Sequence, residues 1–599
     1  MARKDKNIEK SAEERLKEEA VLSPSKVAFR NFFRNRLGVI GLVGFILISL
    51  IVFIGSAVME YDPYYSQGIM KNISPGSGYM NVPSELKNEG IKRISTGTTF
   101  SVGLSEEGKF YVWGHKPAFN QPIPQEILDN QGKIKDVAAG DNHIIVLTED
   151  DEVYGYGQDN HNQTKIPSDI KTFAQKDGGI ASIGASDLYS YILTGNGTIK
   201  VWGAIMPTGL NMISKDLNGQ IAEVEAASTN MLVRLKDGTV RVLGTKGTEI
   251  DTQLPEDLKT GKVRVKEIAR MRYSGLAVTE DGENIVWGSS LDNIKSIPEM
   301  DGKVIKAESG REHITVLTDT GHVYSWGKDN YGELAFPSGE NYKDIFVGYF
   351  NNYAITDDNS VDTWGLDGFL MGSDDQGRDL FTRVVNGGKM TLIIALVAVV
   401  IQILLGVLVG IISGYYGKIV DNILSRFGEI ISSFPFYPLI ITLAALLPVD
   451  TDQYKRLIMI MVILGLLGWP GIARLVRGEI LSEREKDYIT AAKALGLKEK
   501  SIMASHMIPN ILSIIIVNAT IGYAGALLTE AGLSFLGFGV QDPYPSWGNI
   551  LNAAQNIDVL EQYWWRWVFP GLAVFITALT VNLVGDALRD ALDPRSQER

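Results

Sequence analysis

The residues that could do chemistry are few and dispersed. Cysteine is absent and the six histidines stand singly, which excludes disulfides, thiolate ligands and a sequence-local metal cluster. No G-x-x-x-x-G-K-[ST] occurs, because every Gly-Lys pair is followed by Ile, Val, Met, Phe or Asp, so the chain has no phosphate cradle. One carboxylate, Glu530, lies in the apolar run LLTEAGLSFLGFG (527–539). An ionisable group there must face protein or water, as a structural hydrogen-bond partner or on a substrate path. The densest pattern suits mechanical work: DYITAAKALGLKEKSIMASHMIPN, residues 487–510. Ala491, Ala492 and Ala494 let another backbone approach closely, and Gly496 breaks the run so that two short helices meet at an angle. Ile502, Met503, His506 and Met507 share one face, Lys498, Glu499 and Lys500 stay solvated, and Pro509 can open the next helix. This stretch reads as a contact surface for another protein. The alternative, an amphipathic helix lying on lipid, fits the small-residue face poorly.

The elements flanking that stretch are membrane-length. Residues 37–59 carry no formal charge, and about 20 apolar residues suffice to cross a bilayer. The run is too long for a signal-peptide core and reads as a retained span. Five more candidates lie at 391–412, 430–447, 457–476, 511–529 and 568–588, the third and fifth interrupted by Pro435, Pro438, Gly522 and Gly525. Lys and Arg concentrate in 1–36, in 477–508 and in 589–599, which predicts that these three segments share the cytoplasmic side. The net charge of −13 argues against nucleic acid as a partner.

Between the first two spans, seven segments repeat one pattern: an apolar opening, a middle strand, a turn and a closing aromatic-Gly. The closing glycines are Gly114, Gly157, Gly203, Gly244, Gly288, Gly327 and Gly365; five follow Trp, one follows Tyr156 and one follows Leu243. Turn pairs such as Asp237-Gly238, Asp281-Gly282 and Asn196-Gly197 mark hairpins. All-strand repeats of this length are propeller blades, each of which needs its neighbours to bury its faces. AAGDNHIIVL (138–147) and SGREHITVLTDTGHVYSWG (309–327) resemble the regulator-of-chromosome-condensation type of propeller. That resemblance implies a seven-bladed fold, with tryptophans packed between blades and His143 and His313 as core hydrogen-bond partners. It implies nothing about activity.

The ends of the chain resemble the C-type permease subunit of oligopeptide and dipeptide ABC importers. MGSDDQGRDLFTRVVNGGKM (371–390) keeps Gly372, Asp374, Gly377, Arg378, Asp379, Arg383 and Gly387 of that family's pattern. It otherwise reads as a polar lead-in capping a helix, with Arg378 paired to Asp379. Residues 527–551, the closing 568–595 and VAFRNFFRNRLGVIGL (27–42) are similar to the same family. The resemblance implies an α-helical membrane protein of the type I importer permease fold, with six transmembrane helices and an inserted all-β propeller. The expected division is 1–36 cytoplasmic, 37–59 first span, 60–89 linker, 90–366 extracytoplasmic propeller, 367–390 lead-in, 391–588 permease domain and 589–599 cytoplasmic tail.

The family's ATPase-docking loop corresponds here to Asp487, Tyr488, Ala491, Ala492, Leu495, Gly496, His506 and Pro509, with Thr490 in place of the usual glutamate. The implied partners are a second permease subunit, two ATPase subunits and an extracytoplasmic substrate-binding protein. ATP and Mg²⁺ would be bound by the ATPases, and this chain would hold no cofactor and catalyse nothing. Nickel-chelate and glutathione importers share these motifs. A membrane-anchored propeller receptor is the competing class. A propeller hydrolase would need a nucleophile–base pair that the sequence does not offer.

Overall fold

The computed structural model describes residues 24–592 apart from 60, 116–118, 120–121, 289–291 and 447–452. Most of the expected cytoplasmic N-terminal segment and residues 593–599 of the tail lie outside the described residues. The chain divides into a helical unit, up to Pro75 and from Met371 onward, and a β unit, Gly76–Leu370.

The helical unit begins with α1 (Pro24–Arg34) and α2 (Arg36–Val58), where the Asn35 side chain caps α2 by accepting from the Gly38 N–H at 3.1 Å. After the β unit, α3 runs from Leu380 to Tyr416, and its 37 residues make it about 55 Å long. Asp379 caps α3, accepting from the Thr382 N–H at 2.8 Å and its hydroxyl at 2.6 Å. This corrects the expected Arg378–Asp379 pair: the cap consumes Asp379, and Arg378 turns to Asp374 instead, at 2.7 Å.

The expected third span at 430–447 is broken. α4 (Lys418–Ser433) and α5 (Phe436–Ala445) meet at 79°, because Pro435 lacks the N–H to continue the ladder and Phe434 before it is extended. Then follow α6 (Gln453–Arg484), α7 (Asp487–Ala494), α8 (Ile508–Phe535), α9 (Trp547–Leu551) and α10 (Trp565–Leu592). Among the described residues five helices are long and apolar enough to span, or six if the bent pair is one crossing.

Packing bears on that count. In α3, Ile401, Gly406, Gly410 and Gly414 face Gly465, Ile472, Val476 and Ile480 of α6 in the same order along both helices, so the two run parallel. Parallel neighbours require the chain to recross between them, and the α4–α5 pair supplies that return. The spacing Gly406-x₃-Gly410-x₃-Gly414 removes side chains from one face of α3, and this lets the backbones touch. Antiparallel contacts fix the rest: Gly38 and Gly41 of α2 meet Ala587 and Leu583 of α10, while Val52 meets Gly388 of α3. Consequently the start of α2, the ends of α3, α6 and α10, and the start of α8 share one face of the unit. The chain leaves at Pro75 and returns at Met371 on the other.

Among its described residues the β unit has seven three-stranded antiparallel sheets, each formed by consecutive strands. Each blade carries the same bulge one residue into its first strand, as between Ile91 and Arg93 or between Ile221 and Glu223. The seventh blade closes on the first through Phe346, Tyr353 and Ile355 against Ile94 and Trp113, and the Tyr353 hydroxyl lies 2.9 Å from Ser101 Oγ. A short pair, Gly76–Ser77 with Gly368–Phe369, ties the two ends of the unit together. The closing glycines need positive φ, as at Gly327 (+123°), where a Cβ would lie 2.6 Å from the Glu312 carbonyl oxygen. Trp202, Trp287, Trp326 and Trp364 are buried, each donating its indole N–H to a carbonyl in the loop leading into its blade at 2.8–3.0 Å.

His143 and His313 hold neighbouring blades, through Ser190 Oγ at 2.9 Å and Asn352 Oδ1 at 2.8 Å. Burial lowers both to about 4, so they stand neutral in the core. Around the axis the first strands place Glu223, Glu225, Glu267 and Glu308 near one another, with Lys306 and Arg93 among them. Burial, and then the Glu223 charge, push Glu267 up to about 7. Its folded value exceeds its unfolded one, so the strain is absent below about pH 4.5 and complete above about pH 7. Glu267→Gln is therefore expected to raise the melting temperature of the propeller at pH 8 and to leave it unchanged at pH 4.5; equal shifts at both would disprove the assignment.

Candidate functional site

The elbow between α6 and α8 is built from both ends. α7 stops in a left-handed Gly496 (φ +75°), with Leu497 N–H donating to Ala492 O at 3.2 Å and Gly496 N–H to Lys493 O at 3.0 Å. The sequence predicts two separate short helices here, and the structure has only one. The second half, Glu499–Ile502, continues through a π-turn at Met503–Met507 directly into α8. Pro509 has no N–H for an α-ladder bond, and the backbone absorbs this by widening, so that Ile508 N–H donates to the Met503 carbonyl five residues back.

The faces of the elbow are also redistributed. Ile489, Ala492, Ile502 and Met507 are buried in a cluster with Ile411, Val476, Ile480 and Ile511, which anchors the elbow to its own bundle. Met503 and His506 are half-buried beside it. Asp487, Ala491, Ala494, Leu495 and Pro509 face outward, Leu495 being 81 % exposed. Ala492 is thus an internal packing residue, while Ala491 and Leu495 form the free surface. At the base, the Tyr488 hydroxyl donates to Glu483, and Asn510 Nδ2 donates to both the Tyr488 hydroxyl (2.6 Å) and Glu483 Oε2 (3.2 Å). Lys486 pairs with the same Glu483. The Tyr416 hydroxyl donates to Glu499 at 2.9 Å, joining the end of α3 to the elbow. These bonds tie the elbow to the ends of α3 and α6 and to the start of α8.

Glu530 is fully enclosed. Its Oε1 accepts from Ser534 Oγ at 2.7 Å, and the hydroxyls of Ser546 and Thr391 also face it. Ser534 Oγ in turn accepts from the Val540 N–H at 3.0 Å, and Thr391 Oγ1 accepts from the Trp547 N–H at 3.1 Å. Sequence reading missed a second ionic centre: Asp542, 164 residues from Arg378, accepts from Arg378 (3.3 Å) and Arg383 (3.1 Å), both nearly buried. No local signal reveals that partnership, which forms only when the 540 loop folds over the start of α3.

Three descriptions of known families match this chain. Residues 406–598 match the binding-protein-dependent transport system inner membrane component, and 23–75 match the N-terminal transmembrane domain of oligopeptide transport permease C. Residues 134–163 and 304–333 match the regulator of chromosome condensation repeat. The chain belongs to the inner-membrane permease family of binding-protein-dependent transport systems. It is 38 % identical over 239 residues to a putative peptide permease protein of Brucella ovis, covering 40 % of this chain and 76 % of that one. To the oligopeptide transport system permease protein OppC of Bacillus subtilis it is 36 % identical over 259 residues, 42 % of this chain and 80 % of that one. Among solved structures, the CRINKLY ectodomain of an Arabidopsis thaliana receptor kinase has 17 % identity, covering 46 % of this chain and 94 % of that chain, with a TM-score of 0.37. That likeness is too slight to argue from, and the propeller stands on its seven sheets and its repeat match. The chain is a non-catalytic permease subunit that carries an inserted β-propeller.

Proposed function

We propose that the chain forms half of the translocation path of an ATP-driven peptide importer in the cell membrane and receives its motion through the 487–509 elbow. The observation that carries this reading is the elbow itself: anchored by Ile489, Ala492, Ile502 and Met507 to its own helices, it leaves Ala491, Ala494 and Leu495 uncovered at its tip. Partner ATPases holding ATP and Mg²⁺ would grip that tip, and a second permease would complete the path. Closure of the ATPases would then tilt the bundle between inward-open and outward-open states. Arg36, Arg484, Lys486, Lys493, Lys498 and Arg589 all lie at the face bearing the elbow, which supports a cytoplasmic placement of that face and an outer placement of the chain's exit to the propeller. Of the two roles open to Glu530, its enclosure supports the structural clamp. Purification from native membranes should recover ATPase subunits and a second permease, and the assembled complex should take up peptides; a complex lacking any ATPase would overturn the reading.

The propeller, in the same proposal, docks the substrate-binding protein or the peptide. Since Gly76 and Phe369 already lie paired, a chain lacking 76–370 with its ends joined keeps the helical unit intact. Peptide uptake by that chain is expected to fall at least about tenfold at limiting substrate, and unchanged uptake would remove the docking role.

A further inference from the structure

The turns between the first and second strands of the blades form a ring at one mouth of the propeller axis. Neighbouring turns are bonded edge to edge: Thr98 N–H to Asp141 O at 3.2 Å, Arg272 N–H to Arg311 O at 3.0 Å and Arg311 N–H to Tyr349 O at 3.1 Å. The charges on this ring are sorted. Blades two and three contribute Asp141 and Asp187, while blades five and six contribute Arg270, Arg272 and Arg311. In a seven-bladed ring those pairs of blades lie across the axis from each other. Among the described residues no ion pair joins the two sets, although their fields overlap: burial, then the Asp187 charge, push Asp141 up to about 7, and burial followed by Arg272 lowers Arg311.

A purely structural role fits this arrangement poorly. The Tyr349 hydroxyl of blade seven bonds Asp141, and Arg311 lies over the Tyr349 ring at 6.0 Å, so one tyrosine stands between the two sets. Asp141 and Arg311 are each only 8 % exposed and Arg270 6 %, yet among the described residues Asp141 Oδ1, Arg311 Nε and Arg270 Nε have no hydrogen-bond partner. Buried charged atoms left unpaired are costly, and folding would relieve them by pairing if they could reach one another. Arg270 is held from outside by Asn230 and by the Met271 carbonyl (3.0 Å), and Asp187 accepts from Ser186 Oγ at 2.8 Å. At the rim, Arg272 lies over the Tyr273 ring at 4.7 Å, and that ring is 46 % exposed. The mouth therefore carries both signs of charge on nearly covered side chains, with the exposed Arg272 at its rim, and this suits a slender ligand that carries both charges.

We propose that this ring binds short peptides, Arg272 and Arg311 taking the terminal carboxylate and Asp141 with Asp187 taking the terminal ammonium. This rests on the peptide-importer reading and gives the propeller its ligand.

The test is calorimetric titration of the full chain in lipid nanodiscs with trialanine, N-acetyl-trialanine and trialanine amide. Trialanine is expected to bind, and capping either end should weaken it about tenfold or more. Arg311→Gln should lose the preference for the free carboxylate and Asp141→Asn the preference for the free amine. Arg272→Gln, at an exposed position, repeats the carboxylate arm without risk to folding. No binding of trialanine, or binding that neither the caps nor these substitutions alter, overturns the proposal. Uptake of trialanine by cells making the whole transporter separates the two readings. Uptake without ring binding removes the ring alone, whereas ring binding without uptake removes the importer reading and leaves the ring.

Discussion

Leu495→Asp is expected to abolish uptake and to release the ATPase subunits during purification, with little change in the stability of the chain itself. Leu495 ends α7 just before the left-handed Gly496, and it is 81 % exposed, so no packing within this chain is lost. Covered by a partner, a leucine contributes about 1.5–3 kcal/mol, and an aspartate in its place would have to be desolvated without a counter-charge. A combined penalty of about 3 kcal/mol or more corresponds to roughly a hundredfold loss of affinity. The comparison is Ala492→Leu, three residues earlier, where the side chain is buried against the bundle. Ala492 is 5 % exposed among Ile489, Ile502 and Met507, so the larger residue should lower the melting temperature of the chain. Co-purification and melting measured on both variants distinguish a docking surface from a packing position. If Leu495→Asp leaves uptake and ATPase recovery intact, the elbow is not the coupling surface.

The second large effect is expected at Gly410. A Cβ there would lie 2.7 Å from Val476 Cβ and 2.8 Å from the Ala473 carbonyl oxygen, and a backbone oxygen cannot step aside as a flexible side chain can. Gly410→Leu must therefore force α3 and α6 apart along the seam shared with Gly406 and Gly414. Overpacking of this kind costs about 1–3 kcal/mol even where side chains can yield, and more is expected here. The readouts are the amount of folded chain recovered from membranes and its melting temperature, which should both fall. Gly471→Ala and Gly478→Ala on α6 serve as controls, since nothing lies within 4 Å of a Cβ at either position. A Gly410→Leu chain as stable as these controls would mean that the parallel contact does not exist. The recrossing by the α4–α5 pair would then lose its physical basis.

Much of this protein could be read directly because the signals are local. Apolar length marks spans, the closing glycine marks each blade, after an aromatic residue in all but the fourth, which ends Leu243-Gly244, and the 487–510 pattern marks a helix, a glycine stop and a proline restart. Each is a statement about neighbours in sequence, and hydrophobic period and turn chemistry act at that range. The proline signals at 435 and 509 were visible too, but their outcomes differ. At Pro435 the chain bends by 79°, while at Pro509 a π-turn keeps the helix continuous. Which one occurs depends on whether Ile502, Met507 and Ile511 are held by α3 and α6, and that is a property of the packed bundle.

The sequence by itself determined the seven blades, the membrane-length helices and the elbow, since each of these is dictated by residues close along the chain. Only the tertiary structure decided that α3 and α6 are parallel, that Asp542 and not Asp379 joins Arg378, and that Ala492 faces inward while Leu495 faces out. It also gathered Asp141, Asp187, Arg270, Arg272 and Arg311 around one opening from turns spread between residues 141 and 311. These are contacts between distant segments, set by which faces bury together, and no pattern confined to one segment encodes its distant partner.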